Sequence, residues 1–323
     1  MSSDISYTTE EIAKMLKISK LTVYDLIKKG ELPSYRVGKQ MRVDKTDFEA
    51  YKQRAKGIQT AAPSAPSVPL PAPSADHSHA RENAASGGMR PIVVTGQDIS
   101  LDILVKYMEK GISGIRPLRA YDGSLDSLIS MYRGESDIVS THLLDGDTGE
   151  YNVPYIRKLL VGSSYMVVNL LSRNAGLYVQ KGNPLGLKAW PDLSRPGLRL
   201  MNREKGSGAR VLLDEQLRLH GIHPQQLTGY ELEQTNHIGV AAQVASGEAD
   251  VGVGIEKAAA IVGQVDFIPL IEERYDLVML KTAENLPWIQ SLLDILRSEG
   301  FRKELQAIAG YDLARTGEIL FET

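Results

Sequence analysis

No cysteine occurs among the 323 residues, which excludes a disulfide framework, a thiolate metal site and a cysteine nucleophile. No run of about 18 apolar residues is present, so no membrane span is expected. The N-terminal segment MSSDISYTTEEIAKMLK carries acidic residues where a signal peptide would carry a basic end followed by an apolar run. The expected location is therefore the cytoplasm. The metal-hydrolase pattern HExxH, the phosphate-binding GxxxxGK[ST] and the dinucleotide pattern GxGxxG are all missing. No hydrolytic triad stands out either, and the chain reads as a non-enzyme. What is present has the balance of a soluble globular protein, with 42% hydrophobic and 24% charged residues. The length suggests two domains.

Residues 60–88 (TAAPSAPSVPLPAPSADHSHARENAASGG) break the composition. Pro63, Pro66, Pro69, Pro71 and Pro73 put five of the fifteen prolines among Ala and Ser. Such a run cannot bury a core and reads as a spacer. It separates an N-terminal unit, 1–59, from a C-terminal block, 89–323. Residues 1–59 hold twelve Lys/Arg against eight Asp/Glu, a net +4, which leaves 25 against 32, or -7, for the rest. A basic small unit tethered to an acidic larger one suits a nucleic-acid reader joined to a sensor.

In the first unit, Thr8 or Thr9 can cap a helix with Glu10 and Glu11 in its first turn and Ile12, Met15 and Leu16 on one face. Ser19 can cap a second helix ending near Lys29, with Gly30 just past it. Residues 32–43 read as two strands around a turn at Gly38-Lys39, and Asp44 then caps a third helix containing Phe48 and Tyr51. The segment TTEEIAKMLKISKLTVYDLIKKGELPSYRVGKQMRV (8–43) resembles the excisionase-type winged helix-turn-helix family, with helix, turn, GELP and the R-V-G-K-x-x-R-V wing in order. That resemblance implies double-stranded DNA as partner. Ser19, Lys20, Thr22 and Tyr24 would face the groove, while Lys28, Arg36, Lys39 and Arg42 would hold phosphates. A small helical adaptor with a solvated basic face is the alternative. One such unit covers little DNA, so a homodimer or higher homo-oligomer is expected.

From Arg90 strands alternate with helices, the pattern of an α/β domain. Strands are expected at 91–95, 115–121, 137–139, 165–169, around 178–179, at 198–201, 251–254, 267–270 and 275–280. Two amphipathic helices, around 289–296 and 301–308, would close the chain. Several loops after the strands are small and polar, which suits capture of an anion at strand ends and helix N-termini.

The segments SDIVSTHLLDGDTGEYN, KGNPLG, LMNREKGSGAR and ASGEADVGVGIEKAA, in this order, resemble the bacterial solute-binding fold, particularly its branch with molybdate-binding-like domains. The resemblance covers nearly all of 90–315. It implies an α/β periodic pattern folded as two lobes like a type 2 periplasmic binding protein, lobe 1 from 90–172 and 262–323 and lobe 2 from 173–261. It also implies that Thr141, His142, Arg203, Ser207, Gly208, Arg210 and His237 line a cleft, with Gly96 and Gln97 beginning the first loop and Ser124 the second. Hydroxyls of Ser124, Thr141 and Ser207 can donate hydrogen bonds, glycines admit backbone N–H groups, and the two arginines offer forks for carboxylate or phosphate. Molybdate or tungstate is the implied effector. The two arginines favour a larger anion, such as a phosphorylated compound or a molybdenum-cofactor precursor, unless one of them points to solvent or bridges the lobes.

The loop Asp145–Glu150 departs from a calcium loop at its fifth and sixth positions and reads as a turn. His77 and His79 lie in the spacer without helper ligands, and His220 and His223 read as end-of-helix residues. No resident cofactor or metal is expected. Together these features describe a one-component transcriptional regulator that closes on a small anion. A DNA-tethered storage protein and, third, an enzyme acting on a phosphorylated or pterin compound are the other readings.

Overall fold

The computed structural model describes residues 6–16, 23, 26–27, 32–37, 40–55 and 89–323. The chain divides into two compact units, Met1–His77 and Ser78–Thr323. The spacer 60–88 lies outside the described residues, as does most of the expected second helix.

In the first unit, α1 (Thr9–Leu16) starts at a reciprocal cap. The Glu11 amide donates to Thr8 Oγ1 at 3.3 Å and the Thr8 amide to Glu11 Oε2 at 2.8 Å. Strand β1 (Ser6–Thr8), which the sequence did not announce, pairs antiparallel with β3 (Gln40–Asp44), and β3 pairs with β2 (Tyr35–Val37). The β2–β3 hairpin is the expected wing. Asp44 directly precedes α2 (Lys45–Ala55) and accepts a hydrogen bond from the Tyr35 hydroxyl at 2.9 Å. Ile12, Val23, Leu32, Val43 and Phe48 bury together as the core.

The second unit begins with β4 (Arg90–Thr95), α3 (Ser100–Gly111), β5 (Ile115–Ala120), α4 (Ser124–Tyr132), β6 (Ile138–Thr141) and α5 (Val153–Leu159). Next come β7 (Tyr165–Gln180), β8 (Leu200–Arg203), α6 (Gly208–Leu219), β9 (Glu233–Gln234), α7 (His237–Ala245), β10 (Val251–Ile255), α8 (Glu256–Val262) and β11 (Val265–Leu280). The chain ends with α9 (Leu286–Arg297), α10 (Glu299–Gln306), β12 (Tyr311–Asp312) and β13 (Ile319–Glu322). One sheet runs in the order β5-β4-β6-β11-β7-β10-β8-β9, with β12 and β13 also on β7. Strands β4, β5 and β6 are parallel, as are β8, β9 and β10; the two groups are joined through the antiparallel pair β7–β11.

The long pair corrects the sequence reading. Each of its strands has 16 residues, about 50 Å of extended chain. The polar stretches Ser172-Arg173-Asn174 and Glu272-Glu273-Arg274 look like breaks in sequence, but β7 and β11 pair through them without interruption of direction. Four expected short strands are therefore two. Packing divides the unit into two lobes. Ile92, Leu104, Leu277 and Leu292 belong to the first, and Leu177, Leu200, Leu213 and Val253 to the second. Val265, Phe267, Ile268 and Ile271 still pack in the second lobe, so the return crossing lies near 272–274 rather than at 262. Helices α9 and α10 do not close the chain: β12 and β13 return to β7. No helix among the described residues is long and apolar enough to cross a membrane.

Candidate functional site

Strands β4, β5, β6, β8, β9 and β10 all end toward the junction of the lobes, and the loops that follow them enclose a cavity of about 230 Å³. Three helix starts face it, and a short polar residue satisfies an early amide of each. Asp98 accepts from the Ser100 amide at 2.8 Å, Ser207 from Arg210 at 3.3 Å and Asn236 from Gly239 at 2.8 Å. The cleft is closed. The Leu125 amide of lobe 1 donates to the Gly206 carbonyl of lobe 2 at 2.9 Å.

Gln97 carries a second link between the lobes. Its Oε1 accepts from Arg203 Nη2 at 2.7 Å, and its Nε2 donates to Glu204 Oε1 at 3.1 Å. Arg203 is only 2% exposed. Its Nε donates to Glu204 and to the Gln234 carbonyl, and its Nη2 also reaches Glu204 and the Thr235 carbonyl. Nη1 makes no hydrogen bond among the described residues. Burial pushes the Glu204 carboxyl up, but the Arg203 hydrogen bond and charge outweigh it and hold it below its ordinary value.

Ser124 Oγ and His142 Nδ1 lie 3.0 Å apart, and the His142 amide donates to the same oxygen at 3.3 Å. Burial, assisted by Arg173 and Arg203 and opposed by Glu273, lowers His142 to about 4. His237 is lowered as well, by burial first and then by Arg203 and Arg173. Both rings are therefore neutral near pH 7. A Cβ on Gly208 would stand 2.2 Å from the His142 ring, so only glycine lets α6 approach it. Gly96 has φ of +141°, and a Cβ there would stand 1.8 Å from Ser140 Oγ.

Of the residues expected from the sequence, Gly96, Gln97, Ser124, His142, Arg203, Ser207, Gly208 and His237 come together on the cavity wall. Thr141 and Arg210 do not. Thr141 is buried at the end of β6 with Oγ1 unpartnered. Arg210 turns behind α6, where it binds Asp214 and Glu233, donates to the Arg203 carbonyl and stacks on Tyr230. Sequence reasoning missed Asp98, Arg173, Lys257 and Tyr275, which also line the cavity. Arg173 Nη1 meets Asp98 at 2.5 Å, and its Nε donates to Glu273 at 2.6 Å. Asp98 in turn accepts from Tyr311, whose hydroxyl accepts from Lys257 Nζ at 2.9 Å. Burial pushes Asp98 up, but Arg173 and Tyr311 outweigh it and leave it below the usual carboxylate range.

Of the residues expected to contact DNA, Ser19, Lys20, Thr22, Tyr24, Lys28 and Lys39 lie outside the described residues. Arg36 is placed on β2, and Arg42 on β3 donates to Ser6 Oγ at 3.2 Å. Among the described residues no cluster of His, Asp and Glu is arranged to hold a metal. The Asp145 loop is a turn in which Asp145 Oδ1 accepts from the amides of Asp147 and Thr148.

Residues 105–297 match the family model of a PBP superfamily domain. The chain belongs to the PBP superfamily. This PBP-superfamily chain also carries a helix-turn-helix domain, matched over residues 6–56. It is similar to the protein YvgK of Bacillus subtilis (strain 168), 49% identical over 323 residues that cover 100% of each. It is also similar to a protein from the 5′ region of a ferredoxin 2Fe-2S gene in Clostridium pasteurianum, 46% identical over 112 residues, 35% of this chain and 99% of that one. Among solved structures it is similar in fold to a mutant OxyR of Corynebacterium glutamicum with hydrogen peroxide bound (TM-score 0.50, 13% identity, 94% of this chain and 90% of that one). An ancestral amino acid-binding protein shares the fold too (TM-score 0.50, 18% identity, 68% of this chain and 95% of that one). A helix-turn-helix unit and a two-lobe solute-binding fold are thus joined in one PBP-superfamily chain.

Proposed function

We propose that the chain is a cytoplasmic, ligand-responsive transcriptional regulator. Its helix-turn-helix unit binds double-stranded DNA, its two-lobe unit closes on a small anion, and it works as a homodimer or higher homo-oligomer. The observation that carries this reading is the cross-cleft contact of Gln97 with Arg203 and Glu204 around a ligand-sized cavity, in a chain that also holds a DNA-binding fold. A ligand touching both lobes favours the closed form over an open one, and that difference in affinity is what a switch requires. Serine hydroxyls, neutral imidazoles and helix N-termini supply oriented dipoles that hold an anion. The effector is a small anion, and molybdate, tungstate and a molybdenum-cofactor-related compound are the candidates that the family resemblance implies.

The test uses the full chain. Duplexes enriched from a random pool by the chain serve as its DNA, and their affinity is measured with and without each anion that raises its melting temperature. An anion at about 100 times its dissociation constant adds roughly 2.7 kcal/mol to stability. A change of DNA affinity in step with that anion supports the switch. Stabilisation with unaltered DNA affinity supports storage, and turnover of the anion supports an enzyme.

A further inference from the structure

The cavity has two chemically different ends. Ser124, Ser207 and Arg203 are at most 3% exposed and form its polar depth. The rest of its wall mixes charged and polar side chains, Asp98, Arg173 and Lys257 among them, with apolar ones, and three isoleucines there stand out into solvent: Ile99 at 48%, Ile238 at 45% and Ile261 at 57%. They come from three different elements. Ile99 precedes α3 in lobe 1, Ile238 lies in the first turn of α7, and Ile261 is on α8 in lobe 2. A lone exposed isoleucine is ordinary, but three converging on one cavity form an apolar lip of the kind that marks ligand grooves.

The polar depth has unused capacity. Arg203 Nη1 lacks a hydrogen-bond partner among the described residues, and His237 Nδ1 is buried with none. A bare tetrahedral oxyanion satisfies such groups but leaves the lip wet and most of the 230 Å³ empty. Resting on the anion-sensor reading above, we infer that the cleft takes an organic anion with an apolar arm. The phosphate- or carboxylate-type head sits in the depth against Arg203, Ser124 and Ser207. The aliphatic or aromatic arm leaves along Ile99, Ile238 and Ile261.

A homologous series tests this by titration calorimetry on the full chain. The probes are inorganic phosphate, molybdate and sulfate, then ethyl, butyl and hexyl phosphate and the carboxylates of matching length. Affinity is expected to rise about fourfold for each methylene the lip buries. The Ile238→Ser/Ile261→Ser double variant should lose most of that rise, so that hexyl phosphate binds it little better than inorganic phosphate does. Both positions are half exposed, so the fold is expected to survive. A bare oxyanion that binds tightly, beside a flat or falling series, overturns the inference and leaves the anion-sensor reading standing. A rise that persists in the double variant overturns it too, because the arm then lies elsewhere. No binding by any anion, bare or alkylated, overturns the anion-sensor reading itself.

Discussion

Arg173 and Glu273 stand opposite each other in register on β7 and β11, guanidinium Nε to carboxylate at 2.6 Å, both buried where the chain passes between lobes. The same guanidinium binds Asp98 at the start of the cleft and lies over the Tyr275 ring, 4.5 Å from its centroid. The charge network at the lobe crossing is therefore continuous with the cavity wall.

Replacing Arg173 with Met leaves Asp98 and Glu273 buried without their cation. Breaking a buried pair from one side costs about 3–5 kcal/mol. Urea unfolding should show a loss of that order, and a change below about 1 kcal/mol would contradict the role assigned to the pair.

Gly208→Ala separates helix preference from site geometry. Alanine favours the helix by about 1 kcal/mol over glycine, yet its Cβ would stand 2.2 Å from the His142 ring. Either the ring or the start of α6 must shift, and the Ser124–His142 contact shifts with it. The variant should bind any anion that stabilises the native chain at least about tenfold more weakly, a loss of about 1.4 kcal/mol. Unchanged affinity would show that the ring position does not matter.

Acid should weaken the fold through its two buried imidazoles. His142 is lowered to about 4, so between that value and the ordinary 6.5 the unfolded chain binds a proton that the folded chain does not. Stability contributed this way is full above about pH 6.5 and falls as pH drops toward about 4. His237 shifts in the same direction. Melting temperatures measured across this range should fall with acidity, and less steeply in a His142→Gln variant. Identical slopes would contradict the assignment.

Gln97→Ala removes both side-chain hydrogen bonds that this residue makes across the cleft. Amide exchange in the loops 96–99 and 204–207 should speed up, and anion affinity should fall by the fraction of closed protein lost. Because Gln97 is exposed, global stability should move by less than about 0.5 kcal/mol. Unaltered exchange in both loops would mean that other contacts hold the lobes shut.

Alternation of β-branched runs with amphipathic helices made the α/β class legible, and the resemblance to the solute-binding fold gave eight residues that meet at the cavity. The illegible part was long-range charge. Arg173 and Glu273 are 100 positions apart, and each looks like a strand break until its partner is seen. Lys257 sits inside the segment ASGEADVGVGIEKAA, but only the fold brings it to Tyr311. Arg210 and Arg203 looked alike as anion forks. A local signal did distinguish them: Asp214 stands four positions after Arg210, the spacing of a helical ion pair, and it draws Arg210 away from the cavity.

The sixteen-residue strands β7 and β11 run through both lobes as one hydrogen-bonded ribbon. Movement of the lobes must then be absorbed as twist and bend of that ribbon, whose register shifts between Pro269 and Ile271 and between Tyr275 and Asp276 are its irregular points. On the proposed ligand-sensing reading, a ligand that bridges both lobes works against the stiffness of that ribbon, whereas one that grips a single lobe leaves it unloaded.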